Sequence, residues 1–156
     1  MNPTRDGPSS PNFAAVPLEG NRALENLKSP TVSEQMAEAA LHAPQGPSVG
    51  WGIPFDIRDP ILLTDAPVTV KLPETQARWI VFMHTTDLQP LAYNEDGFIS
   101  PMKGQGHLND HAADYVLVYG DGSEARAEIR RRHQIGAFQR MWGENCFQAV
   151  AHHKPH

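Results

Sequence analysis

The chain has 156 residues, 40% of them hydrophobic and 20% charged, with a formal net charge of −5 at pH 7. That length suits one domain with an appendage and is enough to bury a core, and the composition is that of a globular protein. The lone Cys146 excludes an internal disulfide, no run approaches the roughly 20 apolar residues of a membrane span, and the charge balance excludes the dense basic face of a nucleic-acid binder.

The charge is unevenly spread. Residues 1–122 carry 15 acidic and 7 basic side chains, and residues 123–156 carry 3 acidic and 6 basic. Such polarity can orient docking on a partner. The first ten residues hold no apolar stretch of the secretory kind, which leads to the expectation of a cytoplasmic protein.

In chain order, residues 1–18 are rich in Pro, Ser and Asn and read as an arm ordered by contact with something else. Ala23, Leu24 and Leu27 lie at helical spacing. Ser29-Pro30 resembles a cap followed by proline in the first turn, and it predicts a helix over Thr31–His42 with Val32, Met36, Ala40 and Leu41 on one stripe. This helix packs across its own domain or on a neighbouring subunit. Residues 43–50 read as a linker by their Pro and Gly content.

The organisation is then an arm over 1–48, a β domain over 49–151 and a tail over 152–156. The β domain opens at Trp51-Gly-Ile-Pro-Phe-Asp-Ile57. Val68–Leu72 alternates and is bounded by Pro67 and Pro73, so it reads as a strand. Ala77–His84 is a nearly continuous apolar run, expected of a central strand covered on both faces. A long segment, Thr85 to Ala112, reads as a functional loop.

The clearest signal is Ala113–Ile129. Tyr115, Leu117 and Tyr119 fall on one face of a strand, and Gly120-Asp-Gly-Ser123 supplies turn residues. On the return strand Ala125, Ala127 and Ile129 alternate with Glu124, Arg126, Glu128 and Arg130. This is an antiparallel hairpin with one wet side. A last strand is expected near Asn145–Ala151. The tail His152-His-Lys-Pro-His156 reads as a linker or a segment lying on a partner chain.

Gly52-Ile-Pro-Phe55, Val68-Thr-Val70, Trp79–His84 and Tyr115-Val-Leu-Val-Tyr-Gly-Asp-Gly122 follow one another in an order similar to that of the jelly-roll, galactose-binding-like β-sandwich modules of bacterial carbohydrate-active enzymes. The resemblance covers residues 50–150 or so. It implies an all-β fold, an antiparallel sandwich of about eight or nine strands, with the short helical arm as an addition. It also implies a non-catalytic accessory module or small subunit working beside a catalytic protein partner. It carries no catalytic residues, and fold alone does not give function.

Several clusters bear on chemistry. His107 and His111 lie four apart, with His84 at the end of the apolar run, and with a nearby Asp110 or Asp114 they form a candidate Zn set. The competing reading is loop histidines bonded to backbone. Asp87, Asn94, Glu95, Asp96 and Asp110 offer oxygen ligands for Ca, without the spacing of a known loop. Trp51, Tyr93, Phe98 and Trp142 lie in or beside loops, where aromatic rings stack on sugars or simply close the ends of a sandwich. Arg130 and Arg132, on one face of the return strand, suit an anionic sugar or an acidic partner, against the plainer role of charges that blunt a sheet edge. Cys146 reads as a buried structural thiol. Three functions follow: an accessory subunit or homo-oligomer, an autonomous carbohydrate-binding module, and a small metal-dependent enzyme using His84, His107 and His111.

Overall fold

The computed structural model describes residues 6–91, 93–99 and 106–139. The chain divides between Met83 and His84 into two units. Each contains one two-stranded antiparallel sheet: β1 (Gly46–Gly50) with β2 (Ile53–Ile57), and β3 (His111–Val118) with β4 (Glu124–Arg130). Regular structure among the described residues is therefore mainly antiparallel strand, with one short helix. Two such sheets do not by themselves make a sandwich. The expected strand at 145–151, Cys146, Trp142 and the tail lie outside the described residues.

The first unit gathers its core around a short helix. A single 3-10 turn, Leu24–Asn26, precedes α1, Glu34–Ala40. The expected cap at Ser29 is displaced to Ser33, whose side chain accepts a hydrogen bond from the Met36 N–H at 3.0 Å. The reason lies in Val32. It turns inward and is buried, and Ser29–Val32 closes as a separate tight turn with Val32 N–H donating to the Ser29 carbonyl at 3.2 Å. The helix can begin only after that turn. Leu24, Leu27, Val32 and Ala37 form the buried cluster, with Met36, Ala40 and Leu62 packed on it, while the expected Leu41 faces water. Asn21 ties the later chain to this cluster. Its amide donates to the Leu62 carbonyl at 2.9 Å and accepts from the Leu62 N–H at 2.7 Å.

The stretch expected to be a linker supplies β1. Gly and Pro conceal the strand, because its register is held by backbone pairing, and two of its residues, Ser48 and Val49, are buried. The connection to β2 is two residues long, Trp51 and Gly52, both with positive φ (56° and 74°). That is the twist a two-residue hairpin prefers, although an aromatic residue seldom occupies its first position.

Two expected strands do not form. Val68–Leu72 and Ala77–Met83 have no regular structure, and Val68, Leu72 and all of Trp79–Met83 are exposed. The prolines at 67 and 73 remove ladder donors from the first. In the second, apolarity signals a tendency to be buried and does not specify a pairing edge.

In the second unit the hairpin forms as expected, with β3 starting two residues earlier at His111 and ending at Val118, and β4 running one residue further to Arg130. Tyr115 lies opposite Ala127, Leu117 opposite Ala125 and Ala113 opposite Ile129; a bulge sits between His111 and Ala113. Gly122 takes φ 84°, and the Asp121 carboxylate accepts from both the N–H and the hydroxyl of Ser123, at 2.9 and 2.6 Å. Ile129 is buried, whereas Ala125 and Ala127 are exposed. After β4 the chain folds back through Arg131–Ile135, and Thr86 lies parallel to Ala137.

Candidate functional site

The densest polar arrangement is in the second unit, where three stretches meet. His84 begins the unit. Its Nδ1 lies 2.7 Å from the Tyr115 hydroxyl on β3, and its Nε2 lies 3.0 Å from the Gln134 carbonyl in the turn after β4. A carbonyl only accepts, so Nε2 carries the hydrogen, Nδ1 presents a lone pair, and Tyr115 donates to it. The rings lie 5.7 Å apart at 47°. Alternation on β3 explains the placement: Tyr115 and Leu117 share the face that carries Ile129 from β4.

A second tie lies alongside. The buried Arg131 donates from Nη1 to the Asp87 carbonyl at 3.1 Å and from Nη2 to the Thr86 hydroxyl at 3.0 Å. Backbone bonds complete the join: Thr86 N–H to the Gly136 carbonyl at 3.1 Å, and Phe138 N–H to the Thr86 carbonyl at 3.0 Å.

A hydroxyl bonded to an imidazole that is itself oriented by a third group has the layout of an activated nucleophile. The electrostatics run the other way. Burial pushes the Tyr115 phenol above its ordinary value and holds His84 below its own, the Gln134 carbonyl opposing the latter. At neutral pH the pair is phenol and neutral imidazole, which suits a clasp and not a phenolate.

The other two histidines of the expected set are separately engaged. His107, in the left-handed region at φ 49°, lies 3.3 Å from Asp110 through Nδ1. His111 Nε2 lies 3.4 Å from Asp114, whose other oxygen is 3.7 Å from Arg126. Both ring nitrogens of His84 are hydrogen-bonded within the unit. Among the described residues no group of three or more His, Cys, Asp or Glu gathers to hold a metal ion, so the expected His84, His107 and His111 set is not assembled. Of the candidate Ca ligands, Asp87 Oδ1 accepts from the Leu88 N–H, and the Asn94 side chain accepts from Asp96 and Phe98.

The candidate binding residues fall in different places. Tyr93 and Phe98 flank one tight turn, bridged to each other's neighbourhood by the Tyr93–Ile99 pair and the Asn94–Phe98 backbone bond at 2.9 Å, and both rings are largely exposed. Trp51 is exposed at the tip of the β1–β2 hairpin. Arg130 is neutralised by Glu128, with Nε and Nη2 at 2.9 and 2.6 Å from one oxygen, and its Nη1 donates to the Asn109 carbonyl. Arg132 has φ 63° and lays its side chain against Gly106. Trp142 is outside the described residues.

One feature escaped the sequence reading: the Tyr115–His84 contact spans 31 positions and has no local signal. Arg131 carried a signal, because strand alternation sets it opposite to Arg130 and Arg132, although its partners Thr86 and Asp87 did not.

Compared with protein-family models, with curated proteins and with solved structures, the chain matches none.

Proposed function

We propose that the chain is a non-catalytic β-rich module that assembles with a larger protein partner, docking through the apolar segment Trp79–Met83. One observation carries the reading. Five consecutive apolar side chains face water, with relative exposures of 72% for Trp79, 47% for Ile80, 42% for Val81, 41% for Phe82 and 53% for Met83. Contiguous apolar surface of this kind marks interaction sites. Covering these half-exposed side chains would contribute on the order of 1 kcal/mol each before association entropy is charged.

In this reading the two small sheets belong to a β-sandwich, and the partner is a carbohydrate-active enzyme. Both of these finer points rest on the sequence resemblance. The engaged histidines and the protonated Tyr115 favour a structural role over catalysis. A second reading, autonomous sugar binding, draws support from Tyr93 and Phe98, which display their rings on one turn.

The test is recovery of partner by the full-length chain carrying Trp79→Ser and Ile80→Ser. Wild type should retain a stoichiometric larger protein that the double variant loses, with an unchanged circular dichroism spectrum. Equal retention by both proteins would remove the docking role of this segment. Binding of free oligosaccharide, lost on Tyr93→Ala, would favour the second reading.

A further inference from the structure

We propose that His84, Tyr115 and Gln134 form an acid-released latch, which holds the Thr85–Leu88 segment against β3 and the turn after β4 and loosens when His84 takes a second proton. The geometry fixes every donor. Nε2–H is committed to the Gln134 carbonyl, and the Nδ1 lone pair receives the Tyr115 hydroxyl hydrogen. A second proton can go only to Nδ1. It then faces a hydroxyl hydrogen already pointing at it, so the phenol must turn its hydrogen elsewhere in a half-buried place.

The surrounding charges are set by the packed elements. β3 brings Tyr115. The turn after β4 brings the Arg131 guanidinium onto Thr86 and Asp87, and His133 sits beside Gln134. The segment itself brings the Asp87 carboxylate, which caps the Leu88 N–H at 2.7 Å. Arg131 and Asp87 are thus engaged with the backbone and hydroxyl of the segment, and what a cation at His84 meets directly is the half-buried Tyr115 hydroxyl and the Gln134 carbonyl. Burial already holds the affinity of His84 for a proton below its ordinary value. The folded form thus prefers neutral His84, and the unfolded or released form binds more protons. The latch contributes fully above the ordinary histidine value of about 6.5, and its contribution is lost as pH falls through the lower, folded value.

The other ties on this segment are Thr86 N–H to Gly136, Phe138 N–H to Thr86 and the Arg131 pair. The two backbone amides report on the latch without titrating themselves. Amide hydrogen exchange on the full chain at pH 7.5 and 5.5, corrected for intrinsic rates, reads them directly. Protection at Thr86 and Phe138 should fall measurably in acid, while Tyr115 and Ala127 within the hairpin keep theirs. In His84→Gln that pH response should vanish. Unchanged wild-type protection, or a wild-type response persisting in His84→Gln, would overturn the latch. Should that variant not fold, the imidazole titration of His84 in the wild type decides: a midpoint below ~6.5 is expected, and one at or above ~6.5 contradicts it.

Discussion

Within Arg130-Arg131-Arg132 three identical side chains meet three different surroundings. Arg130 pairs with Glu128 at the rim, Arg131 is buried on Thr86 and Asp87, and Arg132 adopts a left-handed backbone against Gly106. Replacement by alanine should separate the first two in urea denaturation. Arg131→Ala should cost about 2–3 kcal/mol, because a buried charged donor and its two acceptors lose one another. Arg130→Ala should cost less than about 1 kcal/mol, as exposed pairs do. Tyr115→Phe should cost about 1 kcal/mol by leaving the Nδ1 of His84 without its donor. The strained Trp51 offers the opposite sign. Asparagine tolerates positive φ, so Trp51→Asn should raise the stability of the chain by about 1 kcal/mol, read from its denaturation midpoint. Alternation on the return strand was enough to tell Arg131 from its neighbours. It placed Arg130 and Arg132 on one face as candidate ligand residues, yet both are half-buried and Arg130 is already paired with Glu128. The His84–Tyr115 bond depends on the chain returning to itself, and no local pattern encodes that.

At the scale of elements, local chemistry decided what could be read. The β3–β4 hairpin was legible because its turn needs a residue at positive φ and Gly122 supplies it at 84°. A Cβ there meets nothing within 4 Å. Gly122→Ala should therefore destabilise through backbone strain alone, by about 1 kcal/mol, with no change in packing. Helix α1 was legible in its body and misplaced at its start, since a buried Val32 shifts the cap to Ser33. Ser33→Ala should cost about 1 kcal/mol, seen as a lower thermal midpoint with loss of helical ellipticity. β1 was concealed by Gly46, Pro47 and Gly50, residues that signal loops but here are held by pairing with β2. Ala77–Met83 erred in the other direction. A run of apolar residues signals a wish for burial, and the sequence cannot say whether a strand of the same chain or a partner provides it.

For the molecule as a whole, an isolated two-stranded sheet is marginally stable in water, and each unit has just one among the described residues. The first unit adds a small helix cluster, and the second adds the clasp and the Arg131 tie. Both leave apolar surface uncovered, most of all at Trp79–Met83. A chain built this way gains stability from whatever covers that surface. In the function proposed above, assembly with a partner is the working state of the chain. The most direct measurement is native mass spectrometry of the chain isolated at its own level of expression. The 17.2 kDa chain is expected in a stable complex with a larger protein, dissociating when Trp79 and Ile80 are changed to serine. A clean monomer, unaltered by those substitutions, would contradict it.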